Sequence, residues 1–297
     1  MLTKEEIKNN INTEWQLPTQ TQKEYRYSLC KFILNISQKI NLSFESSSLA
    51  MLISNYFFTK NLYFNYNKLT MTCAALLLSS KKESSQNKFN DICREYSNNH
   101  NKGVDTEGFH KIREHIGKYE ILLLKQLNYN IPEEFPYDLI YAYSEVLYPD
   151  NDQEIANIGI KIAHDSYFTY ANNIYKNYIV ALSCLVIAAK FLDIPTILEE
   201  NFKNIINMKK IYKKKNISEE EFLKALIQYD NQSMYLVQDQ MEEDLSNEED
   251  GYFEKLSQYQ KLFPNLKLDD LIDCVIMIME YYEDMNSKND FGLNNIK

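Results

Sequence analysis

Glycine and proline are scarce, six of each in 297 residues, too few turn formers for the repeated hairpins of an all-β fold. Leu, Ile, Lys and Glu recur at helical spacing along most of the length, and the chain therefore reads as all-α. Basic charge is also short: 32 Lys and Arg stand against 42 Asp and Glu, for a net charge of −10 and a pI of about 5.1. That balance disfavours a protein that wraps nucleic acid, because gripping phosphates requires a basic face. The local exception, Lys209, Lys210, Lys213, Lys214 and Lys215, reads as a solvated loop. No apolar run reaches the roughly 18 to 20 residues of a membrane span, and the opening MLTKEEIKNN lacks the apolar centre of a signal peptide. A soluble intracellular protein is expected. Its five cysteines, Cys30, Cys73, Cys93, Cys184 and Cys274, are scattered, odd in number and without a CxxC pair, as for small buried hydrophobes in a reducing compartment. His100, His110, His115 and His164 form no HExxH, and no glycine-rich phosphate loop occurs. We therefore expect no catalytic constellation, no metal site and no cofactor.

What is present is a duplication. Residues 67 to 82 (NKLTMTCAALLLSSKK) and 176 to 191 (KNYIVALSCLVIAAKF) both open on Lys and Asn, run through about a dozen apolar or small residues, and carry a lysine at the same register, Lys81 and Lys190. A helix apolar on every side cannot lie on a surface, so each copy should be surrounded by other helices. Two helical bundles in tandem follow, and the length suffices for two cores.

Helical patterns before and after the first copy give a bundle from Gln22–Lys39, Glu45–Lys60, Asn67–Lys82, Gln86–Ser97 and Glu107–Asn128. Pro132 and Pro136 then bracket a connector, since proline ends helices and restricts the residue before it. The pattern restarts with Tyr137–Leu147, Gln153–Tyr170, Lys176–Phe191, Pro195–Asn207 and Ser218–Tyr229. Ser218 and Glu221 have the spacing of a capping box, and Pro195 suits a first helical turn. The expected organisation is an N-terminal arm (1–20) anchored by the single tryptophan, Trp15, a first five-helix fold (21–131), a second (132–230), and a tail (231–297). The tail holds an acidic stretch, Gln240 to Glu254, and a last helix, Leu268 to Tyr282, apolar enough that it should dock on a bundle or on a partner.

Glu120 is the charged residue that says most. At 100° per residue it falls among Ile116, Leu123, Leu124 and Leu127 on one helix face. A carboxylate in an apolar stripe is costly unless paired or hydrogen-bonded. Either it forms an internal salt bridge or reaches the rim, or the stripe faces a partner whose backbone N–H groups it accepts. Lys81, at a helix C-terminus, is favoured there by the open carbonyls alone; the second repeat has the same lysine but not the glutamate.

Lys81-Lys82-Glu83 after the third helix, and Glu120-Ile121-Leu122-Leu123-Leu124-Lys125-Gln126-Leu127-Asn128-Tyr129-Asn130-Ile131 closing the fifth, resemble the two signatures of the cyclin box. Glu24-Tyr25-Arg26 with Phe32-Ile33 resembles the opening helix of the transcription-type cyclins (the T, K, L, C and H classes). His164-Asp165-Ser166 followed by Tyr178-Ile179-Val180-Ala181 resembles their second fold. The resemblance covers about residues 15 to 230. It departs at Ser79 and Ser80, where the family usually has Ala-Gly, and at Ser84, which replaces a second glutamate. The first helix has Tyr27-Ser28-Leu29-Cys30 in place of Met-Arg-Ala-Ile-Leu, so no substrate-recruiting patch of the cell-cycle type is expected. The resemblance implies two tandem five-helix cyclin-box folds and a regulatory subunit, itself no enzyme, that binds and activates a cyclin-dependent protein kinase of the transcriptional class, with a nuclear site of action expected from that class. It assigns Lys81 and Glu120 to hydrogen bonds with the kinase, with Lys82, Leu124 and Tyr129 as the adjoining packing surface. The alternative is a cyclin-fold scaffold that activates no kinase, holding further subunits through the acidic stretch and the C-terminal helix. A promoter-DNA-gripping version of the fold is disfavoured by the charge.

Overall fold

The computed structural model describes residues 2–82, 88–99, 106–194, 263 and 266–287, and every regular element among them is helical. The chain divides into two compact units, Met1–Leu185 with Asp269–Lys297, and Val186–Leu268. The first unit starts with two short helices, α1 (Lys4–Lys8) and α2 (Ile11–Glu14). The bundle helices are α3 (Thr19–Lys39), α4 (Phe44–Lys60), α5 (Lys68–Lys82), α6 (Phe89–Asn99) and α7 (Thr106–Gln126). There follow α8 (Tyr137–Leu147), α9 (Asp152–Ser166), a single turn α10 (Ala171–Ile174), α11 (Asn177–Phe191) and the C-terminal α12 (Leu268–Ser287).

The first copy of the apolar segment is the bundle's axis. Every residue of α5 from Thr70 to Ser80 is buried, with α3, α4, α6 and α7 packed around it. It has no polar face to offer water until its last turn, where Lys81 and Lys82 meet the negative end of the helix dipole. The second copy, α11, is buried without a break from Ile179 to Ala189. Gly159 of α9 lets its neighbours approach: a Cβ there would lie 3.2 Å from Ile140 and 3.4 Å from Leu185. Of the second unit, the described residues include the end of α11, closed by Leu192 N–H on the Ala188 carbonyl (3.2 Å) and Ile194 N–H on that of Ala189 (2.9 Å).

Three expectations are corrected. Trp15 does not anchor the arm, being 68 % exposed. Asn12 does so instead: its amide donates to the carbonyls of Phe58 (2.8 Å) and Asn61 (3.2 Å) and accepts from Tyr63 N–H (3.1 Å). The reason is the need to satisfy carbonyls left open at the end of α4, which an indole with one donor cannot meet. The helix expected to run to Tyr170 stops at Ser166. There Thr169 Oγ1 donates to the Ser166 carbonyl (2.6 Å) and accepts from Ala171 N–H (3.0 Å), side-chain bonds that compete with the helical ladder. The C-terminal helix runs five residues beyond Tyr282, to Ser287.

That last helix docks on the first unit. Leu271, Cys274, Val275 and Ile278 are fully buried at three- and four-residue spacing, so its apolar stripe is consumed within the chain. Tyr282 OH donates to Asp165 (2.9 Å), and Asp284 takes Lys23 and Tyr27 OH, each at 3.0 Å. The boundary expected at Pro132 and Pro136 falls inside the first unit, where Pro136 is the N-cap of α8. The expected helices Pro195–Asn207 and Ser218–Tyr229, the lysine run 209–215 and the acidic stretch 240–254 lie outside the described residues. No described helix is long and apolar enough to cross a membrane.

Candidate partner-binding site

The outer edge of the bundle is formed where the C-terminus of α5 meets the middle of α7. Ile116 and Leu123 of α7 are fully buried against the bundle and Glu120, one turn from each, is 8 % exposed. An isolated carboxylate there would be strongly disfavoured. Lys81 answers it: Nζ lies 2.7 Å from Oε1 and 2.9 Å from Oε2 of Glu120. Of the alternatives left open for Glu120, the structure contains the internal pair, and places it at the rim, for the lysine side chain is 55 % exposed against 11 % for the glutamate. One carboxylate is thus enclosed by the bundle, while its cation faces outward.

The two lysines at the end of α5 diverge. Lys82 Nζ donates to the Pro132 carbonyl in the α7–α8 connector and lies 5.6 Å from the Phe135 ring centroid. Partial burial lowers its pKa, opposed by the charge of Glu133. Lys82 is therefore a clasp on the connector, apart from the Lys81–Glu120 pair. Leu124 is half-buried and Tyr129 is 67 % exposed. Tyr129 closes α7 in the left-handed conformation (φ 59°, after Asn128 at φ 50°). Its N–H bonds the Leu124 carbonyl at 2.9 Å, a helix-ending contact usually left to glycine or asparagine. Glu83 and Ser84 lie outside the described residues.

Sequence reasoning missed three neighbours. Ile121, beside Glu120, is 52 % exposed; helical phase puts it just off the buried stripe, a signal that was there to read. Phe89, at the start of α6, has Lys81 Nζ at 6.0 Å on its ring and the Arg113 guanidinium at 4.5 Å. Arg113 in turn donates to Asn90 Oδ1 (2.8 Å). Such cation–aromatic contacts join elements remote in sequence, and no local pattern announces them.

The resulting edge offers a cation with spare N–H capacity, a carboxylate held in fixed orientation, and exposed or half-exposed apolar side chains from two turns of α7. Among the described residues no group of three or more His, Cys, Asp or Glu could hold a metal ion. Chemically the edge is equipped to grip a surface. Residues 1–132 match the family described as cyclin, N-terminal domain. This part of the chain belongs to the cyclin family. The matched region ends at Pro132, the residue whose carbonyl Lys82 holds.

Solved structures bear on the fold. A chain of the yeast RNA Pol II CTD kinase CTDK-1 complex matches with a TM-score of 0.57 at 17 % identity, over 66 % of this chain and 64 % of that one. A chain of the CAK complex from Chaetomium thermophilum bound to ATP-γ-S matches with a TM-score of 0.51 at 14 % identity, over 90 % of this chain and 66 % of that one. This chain thus spans just under two thirds of the length of each.

Proposed function

We propose that this cyclin is a regulatory subunit that binds and activates a cyclin-dependent protein kinase of the transcriptional class, acting in the nucleus and contributing no catalytic atom of its own. The observation that carries the reading is the Lys81–Glu120 pair, half-enclosed at the rim of the bundle beside exposed Ile121 and Tyr129. Ion pairs that serve stability alone gain little at such a rim; as part of a docking face, the pair presents one donor group and one acceptor group in fixed register. The fold shared with chains of two kinase complexes, CTDK-1 and CAK, supports the same reading.

A protein kinase is active when its C-helix glutamate pairs with the ATP-site lysine. A subunit that binds that paired arrangement better than the unpaired one raises its population, and need do nothing else. In this scheme Lys81 and Glu120 hydrogen-bond the kinase backbone beside the C-helix, and Leu124 and Tyr129 pack against it. The role of Lys82 is indirect, through the connector it clasps. The scaffold alternative loses one of its two motives, since the apolar stripe of α12 is already covered by the chain itself.

The test is an affinity pull-down from native lysate with the full chain. A kinase recovered at equal stoichiometry, and stimulated by the wild-type chain but not by Lys81→Ala with Glu120→Ala, is the expected result. Recovery of non-kinase partners alone would overturn it.

A further inference from the structure

Gly117 stands in the middle of α7 without a reason inside this chain. Glycine weakens a helix interior relative to alanine, and is kept where backbone conformation or close packing demands it. Backbone conformation does not demand it, since φ at Gly117 is not positive. Nor does packing: among the described residues, a Cβ added there would meet no atom within 4 Å. At Gly159, by contrast, the same atom would press on Ile140 and Leu185. The space beside Gly117 is therefore open.

Around that space lies the edge that carries Glu120. At about 100° per residue, Arg113, Gly117, Glu120 and Leu124 fall within about 60° of one another on α7. Arg113, Gly117 and Ile121, spaced four residues apart, form one ridge of the helix surface. The glycine is a notch in that ridge, about 6 Å along the axis from each flanking residue. Ile121, on one side, is 52 % exposed. Arg113, on the other, is half-buried, its guanidinium held against the Phe89 ring (4.5 Å) and on Asn90 Oδ1 (2.8 Å). Both contacts are with neutral groups. Among the described residues Arg113 makes no ion pair, unlike Lys81, Lys111 and Lys118, each of which has a glutamate. The arginine is fixed in place with its charge unanswered.

We propose, resting on the activator reading, that the kinase docks along α7 as far as Arg113. An element of the kinase crosses the helix in the notch at Gly117, main chain close to main chain, and presents an aspartate or glutamate to the Arg113 guanidinium. A missing side chain permits that approach, and the planar fork of N–H donors matches a carboxylate. Phe89, which also has Lys81 Nζ at 6.0 Å, joins the two cations into one surface. Lys81 and Glu120 fix one end of the contact, and Arg113 fixes the other, two helical turns away.

The experiment uses the full chain and the kinase identified by the pull-down, purified as the free catalytic subunit, with binding measured by isothermal titration calorimetry. Gly117→Leu should weaken kinase binding at least about tenfold and Arg113→Gln at least about fivefold. Lys118→Ala, on the far side of α7, should bind as the wild type does. Between about 0.05 and 0.5 M salt, the affinity of the wild type should fall more steeply than that of Arg113→Gln, as a charge contact requires. Gly117→Ala should melt about 2 to 4 °C above the wild type, because the partner and not the fold uses the notch. Undiminished kinase binding by Gly117→Leu or Arg113→Gln, parallel salt slopes, or melting of Gly117→Ala below the wild type would each overturn the assignment. Failure of the activator reading would show in the wild-type chain itself, as a kinase bound without stimulation or, overturning both, not bound at all. Failure of the Gly117 and Arg113 assignment alone would show only in the variants.

Discussion

Two polar regions of the first unit differ in what surrounds them. At the rim, Lys81 and Glu120 form a short pair with the cation half in water. In the interior, a seam of polar groups ties α3 and α4 to the turn after α9. Arg26 Nε donates to the Phe168 carbonyl at 2.8 Å, with its guanidinium 4.3 Å from the Tyr170 ring, and Asn55 Nδ2 donates to the Tyr167 and Thr169 carbonyls at 2.8 and 3.3 Å. Ser48 Oγ lies 2.6 Å from Tyr137 OH and 3.2 Å from His164 Nδ1, with Phe44 stacked on the imidazole at 3.7 Å. The seam satisfies carbonyls that would otherwise be buried without donors, so its members belong to stability. The rim pair leaves donor and acceptor capacity facing outward, and its worth lies in what arrives there.

The sharpest break in that comparison is at Arg26. Arg26→Ala removes a buried donor and its packing, and should cost about 3 to 5 kcal/mol, measured as a fall in the urea midpoint that the double variant Lys81→Ala with Glu120→Ala does not reproduce. At the rim the order reverses. Lys81→Ala with Glu120→Ala should reduce kinase stimulation at least about a hundredfold while changing stability by no more than about 1 kcal/mol. Equal stimulation by variant and wild type would end the assignment of these two residues.

A third prediction concerns two adjacent titrating groups of the interior. Burial raises the Asp165 carboxyl to about 6, opposed by the hydrogen bond from Tyr282, and burial lowers His164 to about 4. The folded-state pKa of Asp165 lies above its unfolded value, so its contribution to stability declines as pH rises through about 4 to 6. The folded-state pKa of His164 lies below its unfolded value, so its contribution declines as pH falls through about 6.5 to 4. In the wild type these slopes oppose each other. Asp165→Asn, which keeps an acceptor for Tyr282, should unmask the histidine: urea midpoints should fall on acidification from pH 6.5 to 4.5, by an amount equivalent to roughly 2 kcal/mol. A variant whose pH profile parallels the wild type would refute the opposition. The smallest effect is expected on the apolar part of the rim, where Ile121→Ala or Tyr129→Ala should weaken kinase binding by about 1 kcal/mol, some fivefold, with no loss of melting temperature.

Much of the fold was legible because helical periodicity is local. The expected Glu45–Lys60, Asn67–Lys82 and Tyr137–Leu147 differ from α4, α5 and α8 by no more than a residue at either end. Burial of α5 on every side followed from the absence of any polar face. The errors lie where long-range demand prevailed over local pattern. Asn12 took the anchoring role expected of Trp15 because open carbonyls at the end of α4 needed donors, and Thr169 ended α9 by bonding backbone that the periodic pattern assigned to a helix. Within the candidate site, Glu120 announced itself as a carboxylate in an apolar stripe. That Lys82 would turn away to Pro132, and that Phe89 would lie between Lys81 and Arg113, had no sequence signal.

The amino-acid sequence by itself determined that the chain is helical, that one segment must be enclosed by its neighbours, and that Glu120 requires a compensating group, because backbone periodicity and the cost of a buried charge act wherever the chain goes. Which group compensates Glu120, which lysine faces outward, and where α12 puts its apolar stripe were decided only in three dimensions. Such choices depend on distances between side chains far apart along the chain, and on donors and acceptors that only the packed helices bring within reach of one another.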